Sequence, residues 1–286
     1  AALDAGVDHL DTAYVYGPNG ESDCILAKAL AGRRDEVVLA SKVGVHYEVP
    51  ADGGKAEMAT CGRPETLRRE CDDLLSRLKT DRVDLLYLHS PDPEVPIAES
   101  AGALKQLMDE GKTLSVGASN TQLEQTEEFA SACPLTALQL PYNLLQRGIE
   151  KRTLPWAREH GVAVLTYWPL MKGLLAGKID RGTELHESDS RRKYPMYQGE
   201  EWQRNCDFVD ALRGAAALTG VTVAQLVVNW TAAQPGVTSV LCGAKQPDQI
   251  LETAGAMGWE LSDEQARRID EALTARGEAE GKRSFT

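Results

Sequence analysis

No stretch of the 286-residue chain approaches the roughly 18 consecutive apolar residues of a membrane helix, and no charged-then-apolar leader opens it. No membrane partner is therefore expected. The six cysteines (Cys24, Cys61, Cys71, Cys133, Cys206 and Cys242) make no C-x-x-C pair and no zinc-finger spacing with histidine, so they read as reduced, mostly structural thiols in a cytoplasmic protein without a metal. Cationic charge is short as well. The 31 Lys and Arg against 43 Asp and Glu leave a net charge of −12, and no basic stripe offers nucleic acid or an anionic membrane a general binding surface. No G-x-G-x-x-G follows a strand, which removes support for a Rossmann dinucleotide site. Repeat periods and linkers are also lacking.

What is present is an alternation of apolar runs and helical periodicity. A hydrophobic content of 42% with 26% charged residues is ordinary for a globular protein with a substantial core. Strands are predicted at 7–12, 36–42, 82–89, 113–118, 136–140, 162–167 and 238–242. Helices are predicted near 21–31, 64–79, 97–110, 123–133, 150–160, 203–218, 223–233 and 247–257, with a last one after a Ser262 to Gln265 cap. In the first of these, Ile25, Leu26, Ala29 and Leu30 make the inward stripe. Regular βα repetition implies a parallel sheet in an α/β fold. Residues 44–62 and 171–202 show no periodicity and read as long loops that shape a pocket. Residues 1–6 resemble the last turn of a helix, and 276–286 read as a polar tail.

Four ionisable groups fall at or just past the ends of the first three strands. They are Asp11, Tyr16, Lys42 and His89. If the strands are parallel neighbours about 5 Å apart, all four converge on one face. A free tyrosine, with a pKa near 10, is a poor acid at neutral pH until a cation stabilises its phenolate, and Lys42 supplies one. Asp11 would hold the ammonium, and His89 would donate to an oxygen gaining negative charge. Taken singly, each reads as a turn cap, a solvated end or packing; the set of four complementary types argues otherwise. None of them offers a nucleophile. The attacking species must be borrowed, and a nicotinamide hydride fits.

Several segments together resemble the aldo-keto reductase superfamily in order and spacing. They are Asp11-Thr12-Ala13 with Tyr16-Gly17, Ser41-Lys42-Val43-Gly44, Leu88 to Pro93, Gly117 to Asn120, Tyr167 to Leu170, and Gly173-Leu174-Leu175. The resemblance spans residues 1 to about 273. It implies a single (β/α)8 TIM barrel domain over 1–286, with the first strand and helix expected upstream of Ala1. It implies NAD(P)H-dependent reduction of an aldehyde or ketone, with Tyr16, Lys42, Asp11 and His89 catalytic. Ser119, Asn120 and Gln139 match positions that bind the nicotinamide carboxamide, and Tyr167 matches the residue that stacks on its ring. Trp168 departs from the usual small serine. Leu170, Lys172 and Gly173 match the pyrophosphate segment, and Gly243, Lys245, Gln249, Glu252 and Thr253 match the adenosine-phosphate site. There Gln249 replaces a frequent arginine and Thr253 a frequent asparagine, so NADPH is favoured and NADH stays open. The family also contains accessory subunits of membrane channels, so a cofactor-sensing subunit is the alternative, as is a reductase inactive for want of its opening unit.

Overall fold

The computed structural model describes residues 1–50 and 53–279. The chain divides into two compact units, one of Val7–Leu140 with Arg152–Leu165, the other of Ala1–Gly6, Pro141–Lys151 and the chain from Thr166.

The first unit alternates strand and helix. It runs β1 (His9–Asp11), α1 (Glu21–Ala29), β2 (Val38–Val43), β3 (Val45–Glu48), β4 (Glu57–Thr60), α2 (Pro64–Leu78), β5 (Val83–Leu88), α3 (Ile97–Asp109), β6 (Thr113–Ser119), α4 (Leu123–Ala132), β7 (Ala137–Pro141), α5 (Thr153–Glu159) and β8 (Ala163–Tyr167). The pairs β1 with β2, β2 with β5, β5 with β6 and β6 with β7 are all parallel. From Leu39 to Val43 every residue of β2 is buried, which is why this strand reads as a continuous apolar run rather than an alternation. Helix α2 starts with Pro64 in its first turn and buries Leu67, Cys71, Leu74, Leu75 and Leu78 against that sheet.

The second unit carries α6 (Gly199–Ala217), α7 (Val223–Ala232), β9 (Ser239–Leu241), α8 (Pro247–Ala254) and α9 (Asp263–Arg276). Thr222 with Gln225 and Ser262 with Gln265 form reciprocal caps at the starts of α7 and α9. Its core joins Tyr142, Leu174, Leu175, Phe208, Leu212, Leu226, Trp230 and Ile269. The seven expected strands form one sheet in chain order, β1-β2-β5-β6-β7-β8-β9, the strand and helix succession of the (β/α)8 class.

Three local expectations are corrected. Residues 44–62 are not without regular structure: β3 and β4 form an antiparallel hairpin, with Val45 opposite Thr60 and Glu48 opposite Glu57. The pairing was hidden because each strand is only four residues long, too short for an alternation to stand out. In α1, Ile25 is exposed and Leu26 only half-buried, while the fully buried side chain of the helix is Asp23. Arg276 closes α9 as a buried residue paired with Glu201 and is no part of a polar tail; residues 280–286 of that expected tail lie outside the described ones.

Candidate active site

The site begins with the pleat. Asp11 is opposite Ala40, and Lys42 is opposite Tyr87. Residues two apart on a strand share a face, so Asp11, Lys42, Tyr87 and, one step beyond β5, His89 all project to the same side of the sheet. The ladder continues past β1 through Thr12 N–H to Ala40 O (2.9 Å) and Tyr14 N–H to Lys42 O (3.0 Å). That tie carries the chain to Tyr16, after which Gly17 (φ +90°) and Gly20 (φ +71°) turn it into α1.

Lys42 is 1% exposed, among the largest fully buried side chains of the protein. A buried ammonium demands partners. Its Nζ pairs with Asp11 Oδ1 and donates to Thr12 O at 2.8 Å and to the Tyr16 hydroxyl at 3.4 Å. Burial pulls the Lys42 pKa down, but the Asp11 carboxylate and the Tyr16 oxygen outweigh it and raise the net value, so the amine stays cationic. Tyr16 is 41% exposed, which sets its phenol at the border between this buried charge and solvent.

The His89 ring stands edge-on to Tyr16, with centroids 6.0 Å apart at 85°. Burial first, then the Lys42 ammonium, push its pKa down to about 3, so it is a neutral imidazole with one N–H to give. Its Nδ1 is buried without a hydrogen-bond partner in the protein. Four groups of different chemistry therefore meet here: a fixed cation, the carboxylate that holds it, a phenol in reach of it and a neutral donor.

The residues expected to bind a nicotinamide sit beside them. Ser119 ends β6 and is buried, opposite Gln139 on β7. Gln139 Nε2 donates to Asp11 Oδ2 at 2.8 Å. Because a carboxylate only accepts, this contact fixes the amide's orientation and turns its carbonyl oxygen elsewhere, as a donor such as a carboxamide would need. Asn120, in the left-handed region at φ +60°, donates its Nδ2 to His89 O at 2.9 Å. It braces the histidine as well as ending the strand.

The other expected cofactor residues belong to the second unit. Tyr167 and Trp168 meet edge to face at 5.5 Å. Met171, Lys172 and Gly173 take three successive positive φ values (45°, 56° and 94°), a curl of the kind in which backbone amides face an anion. The Met171 and Gly173 amides are already committed to Trp168 O and Leu170 O. Lys172 Nζ lies over the rings of Trp168 (5.0 Å) and Tyr194 (4.8 Å). Gly243 has nothing within 4 Å of where a Cβ would stand. Gln249 Oε1 accepts from the Lys245 and Gln246 amides at 2.6 and 3.2 Å, so it serves as a helix cap. Glu252 pairs with Lys178 at 2.6 Å, and the buried Thr253 turns its hydroxyl back to Gln249 O and Ile250 O. Lys172 and Lys245 give this segment the cations that a dinucleotide's anionic end would need, and Arg191 Nη1 stands 3.6 Å from where a Cβ on Gly173 would be.

Sequence reasoning overlooked three polar groups packed around the four. Asp23 accepts from Thr12 Oγ1 at 2.9 Å, Arg77 donates to Tyr14 O at 3.3 Å, and Glu70 accepts from the Gly44 amide and faces His46 Nδ1, both at 2.6 Å. Each is a charged residue on a helix, where solvation is the ordinary expectation; Asp23 and Glu70 are instead buried and Arg77 is half-buried.

Comparison with known proteins follows the same lines. The model of the aldo/keto reductase family matches residues 1–274. Aldo-keto reductase YhdN of Bacillus subtilis is 35% identical over 276 residues, 96% of this chain and 81% of that protein. The glycerol dehydrogenase AKR11B4 of Gluconobacter oxydans superposes with a TM-score of 0.90 at 35% identity, covering 100% of this chain and 86% of that one. An aldo-keto reductase of Klebsiella pneumoniae, solved in complex with NADPH, gives a TM-score of 0.70 at 29% identity over 94% of this chain and 81% of that one.

Proposed function

The chain belongs to the aldo/keto reductase family, and from that membership together with the buried lysine we propose that it reduces an aldehyde or ketone to the alcohol, with Tyr16 as the general acid. The observation that carries this reading is the Lys42 ammonium, held by Asp11 and Thr12 O and 3.4 Å from the Tyr16 oxygen. We take the cofactor to be NADPH, which when bound supplies a hydride to the carbonyl carbon.

The protein's own groups handle the oxygen. His89, kept neutral, donates a hydrogen bond to the carbonyl and aligns it with Tyr16. Tyr16 gives its proton to that oxygen as negative charge develops, and the adjacent ammonium stabilises the phenolate left behind. Being 41% exposed, the phenol recovers a proton from solvent. Asp11 anchors the ammonium, and Gln139 anchors Asp11. Ser119, Asn120 and Gln139 would hold the carboxamide. Tyr167 would meet the ring, and Leu170, Lys172, Gly173, Gly243 and Lys245 the phosphates. With Gln249 occupied as a cap and Glu252 bound to Lys178, a 2′-phosphate would depend on Lys245 and Lys172.

Replacing Tyr16 by Phe removes the proton and little else. Turnover of a carbonyl panel with NADPH should fall about 10²- to 10⁴-fold, the range for a lost general acid. Quenching titrations of protein fluorescence should meanwhile give a cofactor Kd within about twofold of wild type, that is, less than about 0.5 kcal/mol of binding energy. Undiminished reduction by Tyr16→Phe would remove Tyr16 from this role.

A further inference from the structure

Asp23 is the fully buried side chain of α1, a helix whose apolar Ile25 faces solvent. A carboxylate placed where packing wants a leucine needs a reason, and its contacts supply one. Asp23 Oδ1 accepts from Thr12 Oγ1 at 2.9 Å, and the backbone carbonyl of Thr12 in turn accepts from Lys42 Nζ at 2.8 Å. The Thr12 and Ser22 hydroxyls are also 2.9 Å apart, and the Ser22 amide donates to Tyr16 O at 3.2 Å. Two routes therefore run from Asp23, one to the ammonium and one to the loop that presents the phenol.

Arg77 of α2 closes the arrangement from below. Its guanidinium lies 4.4 Å from the centroid of the Tyr14 ring, Nη1 donates to Tyr14 O at 3.3 Å, and Nη1 is 3.8 Å from Asp23 Oδ2. The Arg77 side chain occupies the space where a Cβ on Gly20 would stand, 2.5 Å from its Cδ, so the turn after Tyr16 is built around it. We propose that Asp23, braced by Arg77, is a positioning residue for carbonyl reduction, holding Lys42 through Thr12 and Tyr16 through Ser22. This rests on the reading of Tyr16 as the acid.

The network has a polarity. An ionised Asp23 can only accept, so the single Thr12 proton must point to it and Ser22 must donate to Thr12. A protonated Asp23 can donate to Thr12 Oγ1 and release that order. The charged groups acting on Asp23 are Arg77 of α2 and Lys42 of β2; burial holds its carboxyl up, to about 6, against them and against the Thr12 hydrogen bond. Deprotonation therefore falls within the range where an enzyme can be assayed.

The test compares wild type, Asp23→Asn and Arg77→Gln. With saturating NADPH and a carbonyl substrate, wild-type kcat should drop as pH falls through about 6, the value to which burial raises Asp23. Asp23→Asn should lose that limb and run about 10- to 100-fold slower at pH 7.5, the scale for a small misplacement of reacting groups. Its KM for NADPH should stay near wild type. Arg77→Gln should move the limb upward, since a cation that favours ionised Asp23 is gone. A second readout needs no turnover: protection of the Ser22 amide from hydrogen exchange should fall between pH 7 and pH 5 in wild type and be equal at both in Asp23→Asn. Asp23→Asn with the wild-type limb and the wild-type change in Ser22 exchange would overturn the proposal, whatever its rate. Failure of wild type to reduce any carbonyl would instead overturn the proposed function, and the exchange measurement would still decide the role of Asp23.

Discussion

Two buried groups of the same site should pull stability in opposite directions as pH falls, and substituting either one should expose the other. His89 has an ordinary pKa of 6.5 and one near 3 in the folded protein. The unfolded chain takes up the proton first, so stability is whole above 6.5 and is lost as pH falls toward 3. Asp23 has an ordinary value of 3.8 and a folded value near 6. The folded protein takes up that proton first, so stability is greatest below 3.8 and is lost as pH rises through 6. At 1.36 kcal/mol per unit, moving from pH 7 to pH 4 removes about 3 kcal/mol through His89 and returns about 2 kcal/mol through Asp23. Half-buried His9, whose pKa is lowered chiefly by its withdrawal from water, and the carboxylates held low by Arg partners, Glu110 and Asp189, add an acid loss common to every variant. The comparison with wild type isolates the pair. Urea unfolding at pH 7 and pH 4 should show Asp23→Asn losing about 2 kcal/mol more than wild type over that interval, and His89→Gln about 3 kcal/mol less. Both groups lie near Lys42, so the double variant should depart from additivity by no more than about 1 kcal/mol. If both single variants parallel wild type across the interval, the assigned ionisation states are wrong.

Two further substitutions test the frame around the site. A Cβ at Gly117 would come within 2.4 Å of the Tyr87 ring and 2.8 Å of Ala137 O, so Gly117→Ala should cost about 1–3 kcal/mol in a urea melt and shift the strand that bears Lys42's partner Tyr87. In the second unit, Arg276 is buried with its guanidinium on Glu201 and Asn205. Arg276→Met should destabilise by about 3–5 kcal/mol, because buried Glu201 loses its buried cation and keeps only the more exposed Arg204, 3.2 Å from its other oxygen; a loss below about 1 kcal/mol would mean that Arg204 alone holds the charge.

Strand ends were the most legible feature of this chain, because a strand buried on both faces reads as an uninterrupted apolar run and a single ionisable residue at its end stands out. Lys42 after Val37 to Ser41 and His89 after Leu85 to Leu88 are such cases, and period-two geometry then puts them on one side. The hairpin of β3 and β4 escaped because its pairing is a cross-strand property that two four-residue segments do not announce. Asp23 escaped for a different reason. The periodicity of α1 assigns its inward face to Ile25, Leu26, Ala29 and Leu30, and tertiary contacts with Thr12 and Arg77 rotate Asp23 into the interior instead. Gln249 and Thr253, matched to the cofactor by motif, also make local bonds the motif does not announce: Gln249 Oε1 accepts from the Lys245 and Gln246 amides ahead of α8, and the Thr253 hydroxyl donates back to Gln249 O and Ile250 O.

The opposed shifts at Lys42 and His89 divide the chemistry between them. Each is a nitrogen group largely withdrawn from water, and burial lowers the pKa of both. Asp11 reverses that outcome for Lys42 only, since its carboxylate contacts the ammonium and not the imidazole. The retained charge then acts on His89 as a second reason to stay neutral. One carboxylate thus sets two protonation states. On the proposed reading of Tyr16 as the acid, it keeps a cation beside the phenol and a neutral donor across from it. Gln139 holds Asp11 from its other oxygen, so the amide expected to meet the cofactor is bonded to the group that fixes both states. Asp11→Asn should therefore do more than loosen Lys42: it should lower the Lys42 pKa, leaving burial unopposed by the carboxylate, and as that cation is lost it should raise the pKa of His89, which a pH titration of the His89 ring signals by NMR would register.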